Sequence, residues 1–356
     1  MSVTHSTGGI DFGRRLVILR RFGGTVSTRV DIRSTVVVIA LLSGALAVSV
    51  VSLGSGDFSI PPLRVLATIF GGGDDIDSMV VLEWRLPRVL MALVLGGALG
   101  ISGAIFQSLT RNPLGSPDII GFNTGAYTGA LIVILTLNST SYLAIGGGAL
   151  VGGIATAFAV YLLAFKRGVQ GFRLIIVGIA ISAVLSSSNT WLILKANLAN
   201  AMSAATWGAG TLNGIVWAQA RPALIGAAVL VVGAVYAAYR MPLLAMGDDA
   251  AKSLGVRAEP TRLVLIVVAV GLTALSTAVA GPIAFVALAA PQLARRLTRS
   301  AGVTVVASGA MGCFILATSD LIAQKAFSAR LPVGVITVAI GGIYLIWLLA
   351  REAKRQ

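Results

Sequence analysis

From Trp84 to Ala130 the chain places two arginines around a proline, runs on through apolar or small residues, breaks at Asn112-Pro113, and resumes as a second apolar, glycine-rich run. An α-helix needs about 20 predominantly apolar residues to cross the hydrocarbon of a bilayer, so this stretch reads as a membrane helix, a broken turn and another membrane helix. Gly96 and Gly100 sit four apart, and Gly121, Gly125 and Gly129 repeat the spacing beyond the break. In lipid no hydrophobic force drives helices together, and such small-residue faces let backbones approach closely. The break asks for more. Asn112, Pro113, Gly115, Ser116 and Pro117 free backbone groups that hydrocarbon cannot satisfy, so the segment belongs inside protein or against a water-filled path. Residues 112–124 are therefore either the lining of a translocation pathway, with Asn112, Pro113, Gly121, Asn123 and Thr124 as its candidates, or a buried cytoplasmic turn.

Composition agrees with many crossings. Of 356 residues 56% are hydrophobic and 11% charged, and the mean hydropathy is +0.92, which points to a polytopic, all-α membrane protein. The 42 glycines show no three-residue period, so they serve helix packing and not a collagen triple helix. A single cysteine, Cys313, excludes an internal disulfide, and the lone histidine, His5, has no metal-ligating companions in its polar tail. The formal charge of +14 would suit nucleic acid. Its placement in short segments between apolar runs suits the positive-inside rule instead, so lipid and not nucleic acid is the expected surrounding.

Ten apolar runs are expected, near residues 35–53, 86–109, 119–137, 142–165, 174–194, 222–239, 263–280, 283–293, 303–323 and 333–350. They form one membrane domain over 35–350, between a basic N-terminal tail (1–34) and a short C-terminal tail (351–356). Ten crossings put both termini on one side. Twenty of the 27 lysines and arginines fall in the segments this plan places inside, so both termini are expected in the cytoplasm. The first run lacks a small-residue cleavage site and reads as a retained helix. Pro61-Pro62 opens a short surface helix ended by Gly71–Gly73, and residues 195–220, with Trp207 and Trp217, suit the membrane–water boundary. The runs from Pro87 and from Thr261 share a basic start and a small-residue core. That slight likeness is what five-helix halves of opposite orientation would leave.

Ionisable groups within the runs are scarce. Asp118 and Asp320 are expected at the interface or as caps, and their scarcity argues against a proton relay. On the outer side, Arg85 and Arg88 either snorkel or present guanidinium forks to carboxylates of a docking protein. On the inner side, the polar segment 241–262 contains Gly247-Asp248-Asp249, where either aspartate can cap a helix, and Leu254-Gly255, a helix stop. This short helix is either a solvated loop or a docking element seated in a soluble partner. Gly247 with Lys252-Ser253 imitates a phosphate-binding loop, but the glycine before the lysine and the preceding strand are missing, so nucleotide binding by this chain is rejected. No catalytic, cofactor-binding or metal-ligating residue stands out.

The ordered string R-L-P-R…G-A-L-G-I-S-G-A-I-F-Q…T-R-N-P-L-G-S-P-D-I-I-G resembles the permease subunits of the type II ABC importers that take up iron-siderophore complexes, heme and cobalamin (FecCD-type), and later segments match in the same order. The resemblance covers most of the chain. It implies a ten-helix permease in a bacterial cytoplasmic membrane, not itself an enzyme, working as a dimer with a second permease chain, similar or identical. Two ATPase subunits would bind the ATP and magnesium and engage Gly247, Asp248, Ala251, Leu254 and Gly255. An extracytoplasmic substrate-binding protein would dock through glutamates on Arg85 and Arg88. A third family arginine is expected just after Asp320, where this chain has Gln324, and Lys325 or Arg330 would compensate. Gln292 holds a position often occupied by histidine, and Gly342-Ile343 depart from a small-proline ending. The cargo implied first is a ferric siderophore, with cobalamin or heme as alternatives. An ion-coupled secondary transporter is the rival from another class.

Overall fold

The computed structural model describes residues 3–4, 16–21, 26–164, 171–326 and 331–353. The chain opens with a small antiparallel sheet, β1 (Val3–Thr4), β2 (Leu16–Arg21) and β3 (Val26–Asp31), in the order β1-β2-β3 with Ile18 opposite Arg29. The β-branched residues of V-S-T-R-V favour this pleated pairing. Asp31 then caps the first helix, accepting from the Arg33 N–H at 2.9 Å and the Ser34 N–H at 3.4 Å.

Everything after the sheet is helical. In order come α1 (Ile32–Gly54), α2 (Pro62–Ile69), α3 (Asp75–Ser78), a π-helical turn (Met79–Arg85) and α4 (Leu86–Thr110). After an irregular segment follow α5 (Phe122–Leu131), continued by a π-turn (Ile132–Thr136), α6 (Tyr142–Ala164), α7 (Gly171–Lys195), α8 (Leu198–Gly208) and α9 (Trp217–Ala238). Two short helices, α10 (Met241–Ala245) and α11 (Asp248–Ser253), precede α12 (Ala258–Ala280), α13 (Val286–Thr298), α14 (Val305–Lys325) and α15 (Val333–Ala353). Among the described residues, 7 helices are long and apolar enough to cross a membrane, and Phe122–Thr136 and Val333–Trp347 are shorter apolar helices. With the short α13, these correspond to the ten expected runs.

α4 is the axis of the bundle. It packs against α14, α12, α13 and α9, and 83% of its most apolar stretch is buried, against 11% for α7. Glycine makes that possible. A Cβ built on Gly96 would strike the Gly312 carbonyl, one on Gly100 the Ser308 carbonyl, and one on Gly103 the Ala287 carbonyl. Gly125 and Gly129 meet Gly148, Gly152 and Thr156 of α6 in the same way. These contacts replace lipid by dense van der Waals packing, the force available between helices in a bilayer. Phe106, Met91, Leu95, Leu99 and Leu316 fill the centre without exposure.

Residues 195–220 divide into an outer helix and an inner loop. α8 is largely exposed, with Leu198 and Met202 outward and Ala204 buried, whereas the loop behind it folds inward, so that Leu212 and Ile215 are buried. The Thr211 N–H donates to the Ala280 carbonyl at 2.6 Å and the Gly334 N–H to the Gly210 carbonyl at 3.0 Å. Gly281-Pro282 ends α12 in mid-protein, and this loop supplies a donor to the carbonyl so released.

Candidate functional site

At one end of the bundle a cleft of about 730 Å³ lies between α1, the π-turn before α4, and the end of α14, lined among others by Ser52, Glu83, Arg85, Arg88, Gln324 and Lys325. Arg85 closes its wall by donating from Nη1 to the Leu53 carbonyl at 2.7 Å and from Nη2 to the Phe58 carbonyl at 2.6 Å. Arg88 sits one turn deeper. Its Nη2 meets Asp320 Oδ1 at 2.8 Å, and its Nε lies 3.2 and 3.1 Å from the two carboxylate oxygens. Gln324, one turn after Asp320, donates to Asp320 Oδ2 at 2.7 Å and to Ser52 Oγ at 3.3 Å.

Asp320 is thus buried, with its side chain 2% exposed and that of Arg88 16%, and not interfacial as the sequence suggested. A charge at that position is tolerable because a bidentate guanidinium and an amide satisfy it. Gln324, where the resemblance led to the expectation of an arginine, works inside this network. Lys325 lines the same cleft. Arg330 lies outside the described residues.

The broken segment 111–121 starts at the opposite end of the bundle from this cleft. Arg111 leaves α4 with φ 49°, and its Nη2 donates to the Leu244 carbonyl of α10 at 3.1 Å. Asn112 Oδ1 accepts from the Leu114 N–H at 2.9 Å, turning the chain. Buried Gln292 donates to Gln107 Oε1 at 2.6 Å and to the Pro113 carbonyl at 3.3 Å, bracing the segment on α13. Asp118 then accepts from Asn123 Nδ2 at 2.6 Å and from the Phe285 N–H at 3.1 Å, while Asn123 Oδ1 accepts from Thr277 Oγ1 at 2.9 Å. Thr277 stands roughly 28 Å along α12 from Ala258, at 1.5 Å per residue. The segment therefore climbs from the α10 end into the body of the bundle. Asp118 acts as a tie between two breaks, since Phe285 itself has φ 68° at the turn into α13.

The five pathway candidates divide accordingly. Asn112 and Pro113 lie at the lower turn, with Pro113 exposed. Gly121, Asn123 and Thr124 lie at the upper end. Gly121 has φ 93°, and a Cβ there would strike Ser182 Oγ of α7.

α7 carries a feature that sequence reasoning passed over. In a helix this exposed, Ser186, Ser187, Ser188 and Thr190 are also exposed, and Asn189 is buried with no hydrogen-bond partner for either side-chain atom. The run S-S-S-N-T in the last third of a spanning helix was the available signal: Ser187, Ser188 and Thr190 turn their hydroxyls to carbonyls one turn back, but an asparagine side chain finds no such local partner and lipid offers none.

At the α10 end, Gly247 and Gly255 bracket α11 with φ 112° and 80°. The aspartates were expected to cap this helix. Instead Gly247 takes the cap position and Asp248 begins the first turn, since that backbone angle strongly favours glycine. Acidic residues still suit a helix start. Ala251 is fully buried in a cluster with Leu244 and Val256, whereas Met246 and Leu254 are exposed. The segment is thus pinned on one face and open on the other.

Comparison with known proteins places this architecture. The profile of the FecCD transport family matches residues 30–351. The chain belongs to the FecCD transport family. It is similar to the ferric enterobactin transport system permease protein FepG of Escherichia coli (strain K12), 47% identical over 325 residues, covering 91% of this chain and 98% of that one. The iron(3+)-hydroxamate import system permease protein FhuG of Bacillus subtilis (strain 168) is 36% identical, with 85% and 92% covered. Among solved structures, a metal-chelate type ABC transporter in an inward-facing conformation superposes with a TM-score of 0.78 at 25% identity, covering 89% of this chain and 99% of that one. As a FecCD member the chain is a multi-pass membrane permease of the ABC importer type.

Proposed function

We propose that this chain carries a ferric siderophore across the cytoplasmic membrane for an ATP-driven importer, with both termini in the cytoplasm. The observation that carries the proposal is α11, buried at Ala251, open at Met246 and Leu254, and bracketed by two positive-φ glycines. A helix packed against the bundle on one side and exposed on the other is what a lever needs to pass a partner's movement to α9 and α12.

In this reading two ATPase subunits, holding ATP and magnesium, engage residues 247–255 of two permease chains, this one and a similar or identical second. Closure of the ATPase pair moves α10 and α11, and the motion reaches the broken segment through Arg111 on Leu244. Asn112, Pro113, Gly121, Asn123 and Thr124 line the path, together with Ser182 of α7 where it meets Gly121. On the opposite face an extracytoplasmic binding protein docks on Arg85, Arg88, Lys325 and Arg330, with Arg88 anchored by Asp320. Relatives named for ferric enterobactin and iron(3+)-hydroxamate support the cargo. A cobalamin import permease of Halobacterium salinarum, 33% identical with 85% of this chain covered, keeps cobalamin as the second reading.

The test is reconstitution of this chain with ATPase, second permease and binding protein in sealed vesicles. Uptake of a ferric siderophore should require ATP on the α11 side and binding protein on the Arg85 side. Uptake that persists without ATP and collapses with an ion gradient would instead establish a secondary transporter, and uptake of cobalamin alone would replace the cargo.

A further inference from the structure

A second cavity, of about 330 Å³, opens on the flank of the bundle at the α10–α11 end, between the last turn of α9 and the first turns of α12. Its walls include Tyr236, Arg240, Arg257, Pro260, Thr261 and Val264. Two features set it apart from the cleft at the other end. Its charged side chains are both cationic, and neither Arg240 nor Arg257 joins an ion pair among the described residues. Arg240 stacks over the Tyr236 ring, 4.9 Å from its centroid, and reaches the Tyr236 hydroxyl at 3.3 Å, which holds the guanidinium at the mouth. The second feature is apolar. Val232 and Val235 on α9 and Val264 and Val267 on α12 are exposed on the helices that form the groove, so an apolar face leads away from it along the bundle.

We propose that this groove binds one anionic phospholipid, its phosphate between Arg240 and Arg257 and its acyl chains along the valine face of α9 and α12. A charged mouth joined to a lipid-facing apolar wall fits an amphiphile, whereas a soluble anion would leave the wall unused. Guanidinium groups match phosphate oxygens in planar, forked geometry. Tyr236 and exposed Tyr239 are residues that favour the headgroup level, and basic pockets between spanning helices are a recurrent way to hold anionic headgroups. The lipid would also brace the joint where α11 meets α12, because Gly255 and Val256 line the same cavity. The inference rests only on the chain being in a membrane, so it stands or falls separately from the cargo and the energy source.

The experiment is native mass spectrometry of the full chain in detergent, titrated with phosphatidylglycerol and with phosphatidylcholine of the same acyl chains. Wild type should retain phosphatidylglycerol over phosphatidylcholine by on the order of tenfold. The R240Q/R257Q variant should lose that preference, and K195Q, at the far end of α7, should keep it. Arg257 is exposed and precedes α12, so R257Q alone provides a folded variant with a partial loss if the double substitution proves unstable. Inorganic phosphate at millimolar concentration should not displace the lipid. Equal retention of both lipids, a preference untouched by R240Q/R257Q, or full displacement by inorganic phosphate would each overturn the proposal.

Discussion

The two ends of this permease solve opposite problems with charged and small residues. At the Arg85 end, the polar groups are spent on each other: Arg88 on Asp320, Gln324 on Asp320 and Ser52, and Arg85 on two carbonyls. At the α11 end, positive-φ glycines flank a helix whose Met246 and Leu254 side chains face outward. One end is stiffened by satisfied charge, and the other is hinged at its glycines and exposed. The contrast teaches that the two ends would meet a partner differently, one through guanidinium groups already held in place by bonds within the chain, the other through an exposed apolar surface.

Four measurements would break or sharpen this contrast. The largest effect is expected at the stiff end. Asp320→Ala leaves the half-buried Arg88 guanidinium without its carboxylate and should cost about 2–3 kcal/mol, less than for a fully buried pair, read as a fall in thermal unfolding temperature in detergent. Replacing Arg88 and Asp320 together by leucine should recover most of it, and equal losses in single and double variants would refute the pairing. Next comes the axis between the ends, where Gly100→Ala drives a methyl into the Ser308 carbonyl and should destabilise by about 1–3 kcal/mol.

At the hinged end, Leu254→Glu should leave unfolding within about 0.5 kcal/mol of wild type yet reduce ATP-driven uptake on the order of tenfold. Loss of stability without loss of coupling would reverse the roles assigned to the two ends. The smallest effect is expected for Glu259→Gln at the start of α12, whose exposed ion pair with Arg262 spans 3.4 Å and should contribute under about 1 kcal/mol. A larger loss there would mean that the α11 end is stiffer than its glycines suggest.

Much of this was legible in the chain. The glycine spacing from Gly96 onward announced close helix contact, and the α4–α14 seam realises it. The short helix between the sixth and seventh long runs was readable from Gly247 and Gly255, although its cap was misassigned because a positive φ cannot be read from residue order. Asp320 was misread because its partner, Arg88, lies 232 residues away. The same distance effect hid Leu212 and the Thr211 bond to Ala280, and the hydroxyl run of α7 gained meaning only when that helix proved to be exposed.

What the sequence determined by itself was the set of apolar helices, their rough limits and the place of the break, because length, hydropathy and the chemistry of proline and glycine act over neighbouring residues. Only the tertiary structure decided which charges are spent and which are free, which helix forms the axis and which faces outward. Those outcomes depend on pairings between residues far apart in the chain, and a buried polar group is stable only when such a partner is brought to it.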